Sequence, residues 1–446
     1  PLVAPLSFSI EAGETMALVG ESGSGKSVTA QALLRLNQAM VTPTGTAHLQ
    51  GTSLLDADEA TLRSLRGFKV GFVFQEPMSA LNPLHRLGKQ LEEVLRLHQP
   101  QLTRQERLEQ VKHILDDVGL THLRSRLDAY PHQLSGGERQ RMMIAMAVCN
   151  HPELLIADEP TTALDVSTQA TIIALLSRLQ ARYNLAILLI SHDLHMVRDI
   201  AQQVMVLKGG RVVEHGSASE LFINPRHSYT RTLLGAYHDH TPVLPPHEAP
   251  TLLEVASLSV AYNKTAWLRR KAVRHTVLNP LDLQLKEGHT LGIVGESGSG
   301  KTTLGLAVAR LIASEGAIFF QGRCLSAMSA SELRPMRASL QFVFQDPFSS
   351  LNPRMTVADI IGEGLRLQHP GLTPEAFRQR LHRAVEELGL EPAMLSRYPH
   401  EFSGGQRQRI NIARAMVLAP RCIIFDEPTS ALDKTLQIQL LTLLKS

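Results

Sequence analysis

The sequence is expected to fold as two tandem α/β domains, each with a parallel-sheet core and an α-helical subdomain. Three observations lead there. The stretch GESGSGKS at Gly20–Ser27 returns as GESGSGKT at Gly295–Thr302. Each copy stands between a short apolar run (TMALVG at 15–20, TLGIVG at 290–295) and a stretch with helical character (SVTAQALLRL, TTLGLAVARL). The blocks after the first loop also reappear in the same order after the second. FVFQEPMSALNP (72–83) pairs with FVFQDPFSSLNP (342–353), YPHQLSGGERQR (130–141) with YPHEFSGGQRQR (398–409), and LLIADEPTTALD (154–165) with CIIFDEPTSALD (422–433). Ser135 to Asp158 and Ser403 to Asp426 are both 23 residues apart. Such agreement marks duplication of a whole domain, not a short repeat.

The glycine-rich loop comes first along each half. Its pattern, G-x-x-x-x-G-K-[ST], is a phosphate-binding P-loop. Gly20, Gly23 and Gly25 let the backbone take positive φ and come close to a ligand. Successive N–H groups then form a nest for anionic oxygens, backed by the positive end of the next helix. Glu21, Ser22 and Ser24 complete the first loop, Lys26 is the point charge for terminal phosphates, Ser27 offers a hydroxyl to Mg²⁺, and Val28 follows in the helix. Gly295, Glu296, Ser297, Gly298, Ser299, Gly300, Lys301, Thr302 and Thr303 take the same roles in the second copy. A flexible glycine–serine turn would account for one copy but not for two in the same context.

Gln75 and Gln345 each follow a strand-like run, VGFVF or LQFVF. A neutral amide there could bind Mg²⁺ or a water and still move with its loop. The next stretch is helical. TRQERLEQVKHILDDVGL opens on a capping box, Thr103 with Glu106. Leu108, Val111, Leu115 and Val118 form its apolar face, and Gly119 suits its C-terminal cap. TPEAFRQRLHRAVEELGL has Pro374 at its first position and a stripe of Phe377, Leu381, Ala384 and Leu388. These stripes read as core.

Ser135 in LSGGERQ can cap a helix whose Gly136 and Gly137 expose N–H groups, a second anion-ready end in one domain. Ser403, Gly404 and Gly405 repeat it. The continuously apolar LLIAD reads as a central parallel strand ending in Asp158 and Glu159, where ligands of open α/β sheets bind. Asp158 can reach Mg²⁺ through water, and Glu159 can polarise an attacking water. Asp426 and Glu427 repeat the pair. His192 follows the apolar LAILLI and is placed near the γ-phosphate. The boundaries read as residues 1–238 for the first domain, a proline-rich linker at 239–250, and 251–446 for the second.

Composition is ordinary for a soluble globular protein. Of 446 residues 43% are hydrophobic and 20% charged, and a net charge of +3 gives no case for nucleic acid. Apolar runs stay far below the ~18 residues that span a bilayer. Cys149, Cys324 and Cys422 are scattered, so neither a zinc site nor a disulfide framework is expected.

With the P-loop, the glutamine, the S-G-G-[EQ] block, the D-E pair, the ALD and the downstream histidine in this order, the chain resembles the ATP-binding cassette family over essentially its whole length. The resemblance implies head-to-tail cassettes with ATP and Mg²⁺ sandwiched between them, and ATP hydrolysis coupled to transport. One site would join Gly20–Ser27, Gln75, Asp158, Glu159 and His192 to Ser403, Gly404 and Gly405. The other would join Gly295–Thr302, Gln345, Asp426 and Glu427 to Ser135, Gly136 and Gly137. Asp165 and Asp433 would lie at the shared seam, and Tyr262 looks like the family's adenine-stacking aromatic. FQ[ED]P…[SA]LNP and NPRHSYTRTLL (224–234) are similar to the dipeptide and oligopeptide importer branch. A single chain with both cassettes looks most like the fused ATPase of microcin C-type peptide importers, with the glutathione importer ATPase next. The implied partners are two integral-membrane permease subunits and a peptide-binding protein, with no nucleic acid, and a peripheral place on the cytoplasmic face of the inner membrane. A tandem-cassette ATPase acting on the ribosome or DNA is the alternative from another class. No counterpart of Tyr262 precedes Pro1, and the counterpart of His192 would fall near position 460. The first domain is therefore expected to lack its N-terminal strand and the second its C-terminal part.

Overall fold

The structure, a computed structural model, describes residues 2–446 apart from 22, 37–41, 77–79, 163, 236–248, 265–272, 297, 347–349, 429–436, 438–439 and 441–446. The chain divides between residues 239 and 240 into two units, each with its own core.

The first unit is built on six strands. They are β1 (Thr15–Val19), β2 (Val70–Val73), β3 (Leu154–Asp158), β4 (Ala186–Ser191), β5 (Gln203–Lys208) and β6 (Arg211–Ser217). The order across the sheet is β2-β3-β4-β1-β5-β6, parallel throughout except for β6 against β5. β1 and β4 are buried along their full length, which is why they read as unbroken apolar runs instead of alternating ones. Asp158 pairs with Ile190 and Val19 with Ser191, so the carboxyl ends of β3, β4 and β1 lie side by side. The segments that leave those ends carry the P-loop, the carboxylate pair and His192.

Three helices (Leu87–His98, Arg104–Asp117 and Gly136–Val148) pack through Leu91, Leu95, Val111, Ile114, Leu115, Val118 and Ile144, all buried. The capping box forms as the sequence suggests: the Glu106 N–H donates to Thr103 Oγ1, and the Thr103 N–H donates to Glu106 Oε2. One expectation fails here. Leu108 is 41% exposed, and the buried stripe starts a turn later and takes in Ile114. The first turn of this helix, residues 103–106, faces solvent, so periodicity alone extended the stripe too far.

The second unit holds an antiparallel sheet of Val273–Lys286, Thr251–Lys264, Glu315–Phe320 and Arg323–Cys324, in that order. Its parallel core is the pair Leu340–Val343 and Cys422–Phe425. Helices Val357–Gln368, Pro374–Glu386 and Gly404–Met416 repeat the helical subdomain, with Leu381, Ala384 and Leu388 buried as expected. The strand expected at 290–295 is absent, and Leu291, Ile293 and Val294 are 47, 48 and 93% exposed. A strand needs a hydrogen-bonding edge on which to form. β1 takes its edges from β4 and β5, and among the described residues of the second unit no strand follows Cys422–Phe425.

Candidate functional site

In the first unit the P-loop leaves β1 and enters the helix Lys26–Leu33 through Gly25, whose φ is 97°. Gly20 and Gly23 also have positive φ, 152° and 77°. A Cβ on Gly20 would lie 2.2 Å from the Leu207 carbonyl oxygen, so only glycine lets the loop pass β5 this closely. Lys26 is buried and folds back over its own loop: Nζ donates to the Gly20 and Glu21 carbonyls, both at 2.8 Å. An ammonium held by carbonyls can exchange them for phosphate oxygens at small cost, because both are hydrogen-bond acceptors.

Ser27 Oγ donates to Asp158 Oδ1 at 2.8 Å, which ties the helix start to the end of β3. Three groups converge on the neighbouring Glu159. Gln75 Nε2 donates to its Oε2 at 2.9 Å, Thr162 Oγ1 donates to the same oxygen at 2.8 Å, and His192 Nδ1 lies 3.3 Å away. Glu159 has φ 47°, a left-handed conformation costing roughly 1–3 kcal/mol in a non-glycine residue.

The environment pushes the two carboxylates apart. Burial raises the Asp158 carboxyl to about 6, with the Glu159 charge adding to the rise and the Ser27 bond and Lys26 charge opposing it. Burial works the same way on Glu159, but the His192 bond and charge, the Thr162 hydroxyl and the Lys26 charge outweigh it and hold this carboxyl below its ordinary value. Adjacent carboxylates with opposed shifts can divide labour. Glu159 stays an anion able to orient water, while Asp158, Ser27 Oγ and Gln75 Oε1 are hard oxygen donors of the kind Mg²⁺ selects.

The second unit repeats part of this. Thr302 Oγ1 donates to Asp426 Oδ1 at 2.9 Å, Gln345 Nε2 donates to Glu427 Oε2 at 2.7 Å, and Lys301 Nζ donates to the Gly295 and Glu296 carbonyls at 2.8 and 2.9 Å. Lys301 Nζ is also 3.7 Å from Glu427 Oε1. Glu427 has φ 44°, like its twin. The copies differ at the loop's first glycine. Gly298 and Gly300 have positive φ but Gly295 does not, and its imagined Cβ meets Ser299 and not a neighbouring strand. Among the described residues no strand stands beside this loop as β5 stands beside the first, so it is not pressed into the same shape.

Ser135 and Ser403 each cap a helix, accepting the N–H of Glu138 and of Gln406. Gly136 is exposed, and a Cβ on Gly137 would stand 2.6 Å from Thr168 Cγ2. Gly404 is open, with nothing within 4 Å of its imagined Cβ. Asp165 accepts the Thr168 N–H at 2.9 Å and so starts the helix Val166–Tyr183. Tyr262 lies on the strand Thr251–Lys264 opposite His275, 46% exposed. Val28 and Thr303 occupy the first turns of the two P-loop helices. Ser22, Ser297, Asp433 and most of the 239–250 linker lie outside the described residues.

Sequence reasoning passed over Thr162. A hydroxyl follows the glutamate by three residues in both halves, as Thr162 and Ser430, but that spacing alone does not say that it turns back to the carboxylate.

A model of the ABC transporter family matches residues 3–162 and 278–430. The uncharacterized ABC transporter ATP-binding protein YejF of Escherichia coli K12 is 52% identical over 448 residues, covering 100% of this chain and 84% of that protein. The peptidoglycan transport ATP-binding protein YejF of Agrobacterium fabrum is 48% identical, over 99% of this chain and 81% of the relative. The glutathione import ATP-binding protein GsiA of E. coli O6:H1 is 42% identical, over 98% and 76%.

Proposed function

The chain belongs to the ABC transporter family, as an ATP-binding protein and ATPase with two cassettes, and from that we propose that it energises an importer of peptides or peptide-like compounds. The peptidoglycan transport relative at 48% identity supports a peptide-containing cargo. The glutathione import relative supports the small-solute alternative. Two integral-membrane permeases and a peptide-binding protein would complete the machine, with this chain peripheral on the cytoplasmic face of the inner membrane. Among the described residues no helix is long and apolar enough to cross a membrane.

Lys26 and the loop N–H groups hold the β- and γ-phosphates. Ser27, Asp158 and Gln75 are the residues that would hold Mg²⁺, which when bound neutralises phosphate charge. Glu159 orients the attacking water and accepts its proton, and His192 orients Glu159 from β4. Lys301, Thr302, Asp426, Gln345 and Glu427 take the corresponding parts in the second unit. Little covalent chemistry is asked of the protein, so positioning and electrostatics carry the rate.

The convergence of Gln75, Thr162 and His192 on one oxygen of Glu159 carries the hydrolytic assignment. Its test is Glu159→Gln: ATP affinity stays within about twofold, while turnover at the first site falls by a hundredfold or more, within the range of lost general-base catalysis. Unchanged turnover would remove Glu159 from this role.

A further inference from the structure

We propose that Tyr229, in the NPRHSYTR segment, is a positioning residue for the first unit's phosphate loop. The proposal rests on reading that loop as an ATP site. Tyr229 is buried on the helix Ser228–Gly235, far along the chain from the loop. Its phenol oxygen accepts the Glu21 N–H at 3.1 Å. The segment that delivers it is tied down. Glu214 on β6 accepts the Arg226 and His227 N–H groups at 2.7 and 3.1 Å, and the Tyr229 N–H donates to His227 Nδ1 at 3.1 Å. Lys208 Nζ, at the end of β5, sits 4.6 Å over the Tyr229 ring and holds its plane.

The peptide between Gly20 and Glu21 is one rigid plane. Its N–H is held by Tyr229 and its carbonyl by Lys26, at 3.1 and 2.8 Å. Before nucleotide binds, Lys26 alone can keep this plane in place. Once Lys26 turns to phosphate, the carbonyl loses that partner, and the phenol still restrains a peptide that follows a glycine and turns easily. Tyr229 therefore contributes more to the nucleotide-bound loop than to the free one. Only such a difference between states can change affinity.

The test is Tyr229→Phe in this chain with Lys301→Ala as common background, so that the second P-loop is silent. Phenylalanine keeps the ring and its packing. Equilibrium titration with MgATP, well below the unfolding temperature, should show affinity weakened about fivefold, the size of one neutral hydrogen bond. KM for ATP should rise to match, turnover at saturating ATP should stay within twofold, and the melting temperature of the free protein should barely move. Unchanged affinity, with or without a lower melting temperature, overturns the proposal, because Tyr229 is then only packing. If the Lys301→Ala parent with Tyr229 intact binds no MgATP, the nucleotide reading of this loop fails first and the inference falls with it.

Discussion

Glu159 and Asp158 are neighbours in sequence with opposite electrostatic fates. Burial acts on both, but only Glu159 has His192, Gln75 and Thr162 gathered on it. For the metal-free chain this fixes the sign of a pH effect. Folded Asp158 keeps a proton up to about 6, whereas the unfolded chain releases it near 3.8. Between those values the folded form binds more protons, so this group's contribution to stability is largest at low pH and declines as pH rises. Thermal melts in EDTA should show the native chain losing stability relative to Asp158→Asn by at most about 1.4 kcal/mol for each pH unit over that window. Parallel curves would show that Asp158 titrates normally. Lys26→Ala removes the buried ammonium and should weaken ATP binding by tenfold or more in calorimetric titration, in contrast to Glu159→Gln, which spares binding. That Lys26, Ser27 and Asp158 lie together at the carboxyl ends of the strands could be read from spacing alone. The part of Thr162 could not, because no spacing rule says that a hydroxyl three residues on will turn back toward the carboxylate.

Helices and strands were legible to different degrees. Capping chemistry is local, so Thr103 with Glu106 marked its helix start as it stands in the fold. Thr103→Ala should lower stability by about 1 kcal/mol in chemical denaturation and leave ATP turnover unchanged. Gly71 on β2 was unremarkable in sequence, yet a Cβ there would lie 2.3 Å from the Ala147 carbonyl oxygen of the helix Gly136–Val148. Gly71→Ala should therefore cost about 1–3 kcal/mol by overpacking, read in the same denaturation experiment. The apolar run at 290–295 was expected as a strand and is not one, while the matching run at 15–20 is. Their compositions are alike. What differs is the edge on offer, since β1 is paired on both sides. Strand propensity describes how well a residue fits a pleated, half-buried surface, and it cannot supply the surface.

For the molecule as a whole, duplication implies a pattern of coupling between distant variants. Each unit carries its own P-loop lysine, so Lys26→Ala and Lys301→Ala should each leave residual ATPase activity and the two together should abolish it, read by phosphate release. Activity surviving in the double variant would show that these loops are not the nucleotide sites. The tandem repeat, the phosphate loops and the carboxylate pairs were settled by residue type and spacing, because those properties depend on a few neighbours along the chain. The shape of the first loop, the opposed titration of Asp158 and Glu159, and the hold of Tyr229 on Glu21 came only with the folded chain. Each depends on groups tens to hundreds of residues away that sheet pairing and burial bring within hydrogen-bonding reach, and no local pattern encodes that proximity.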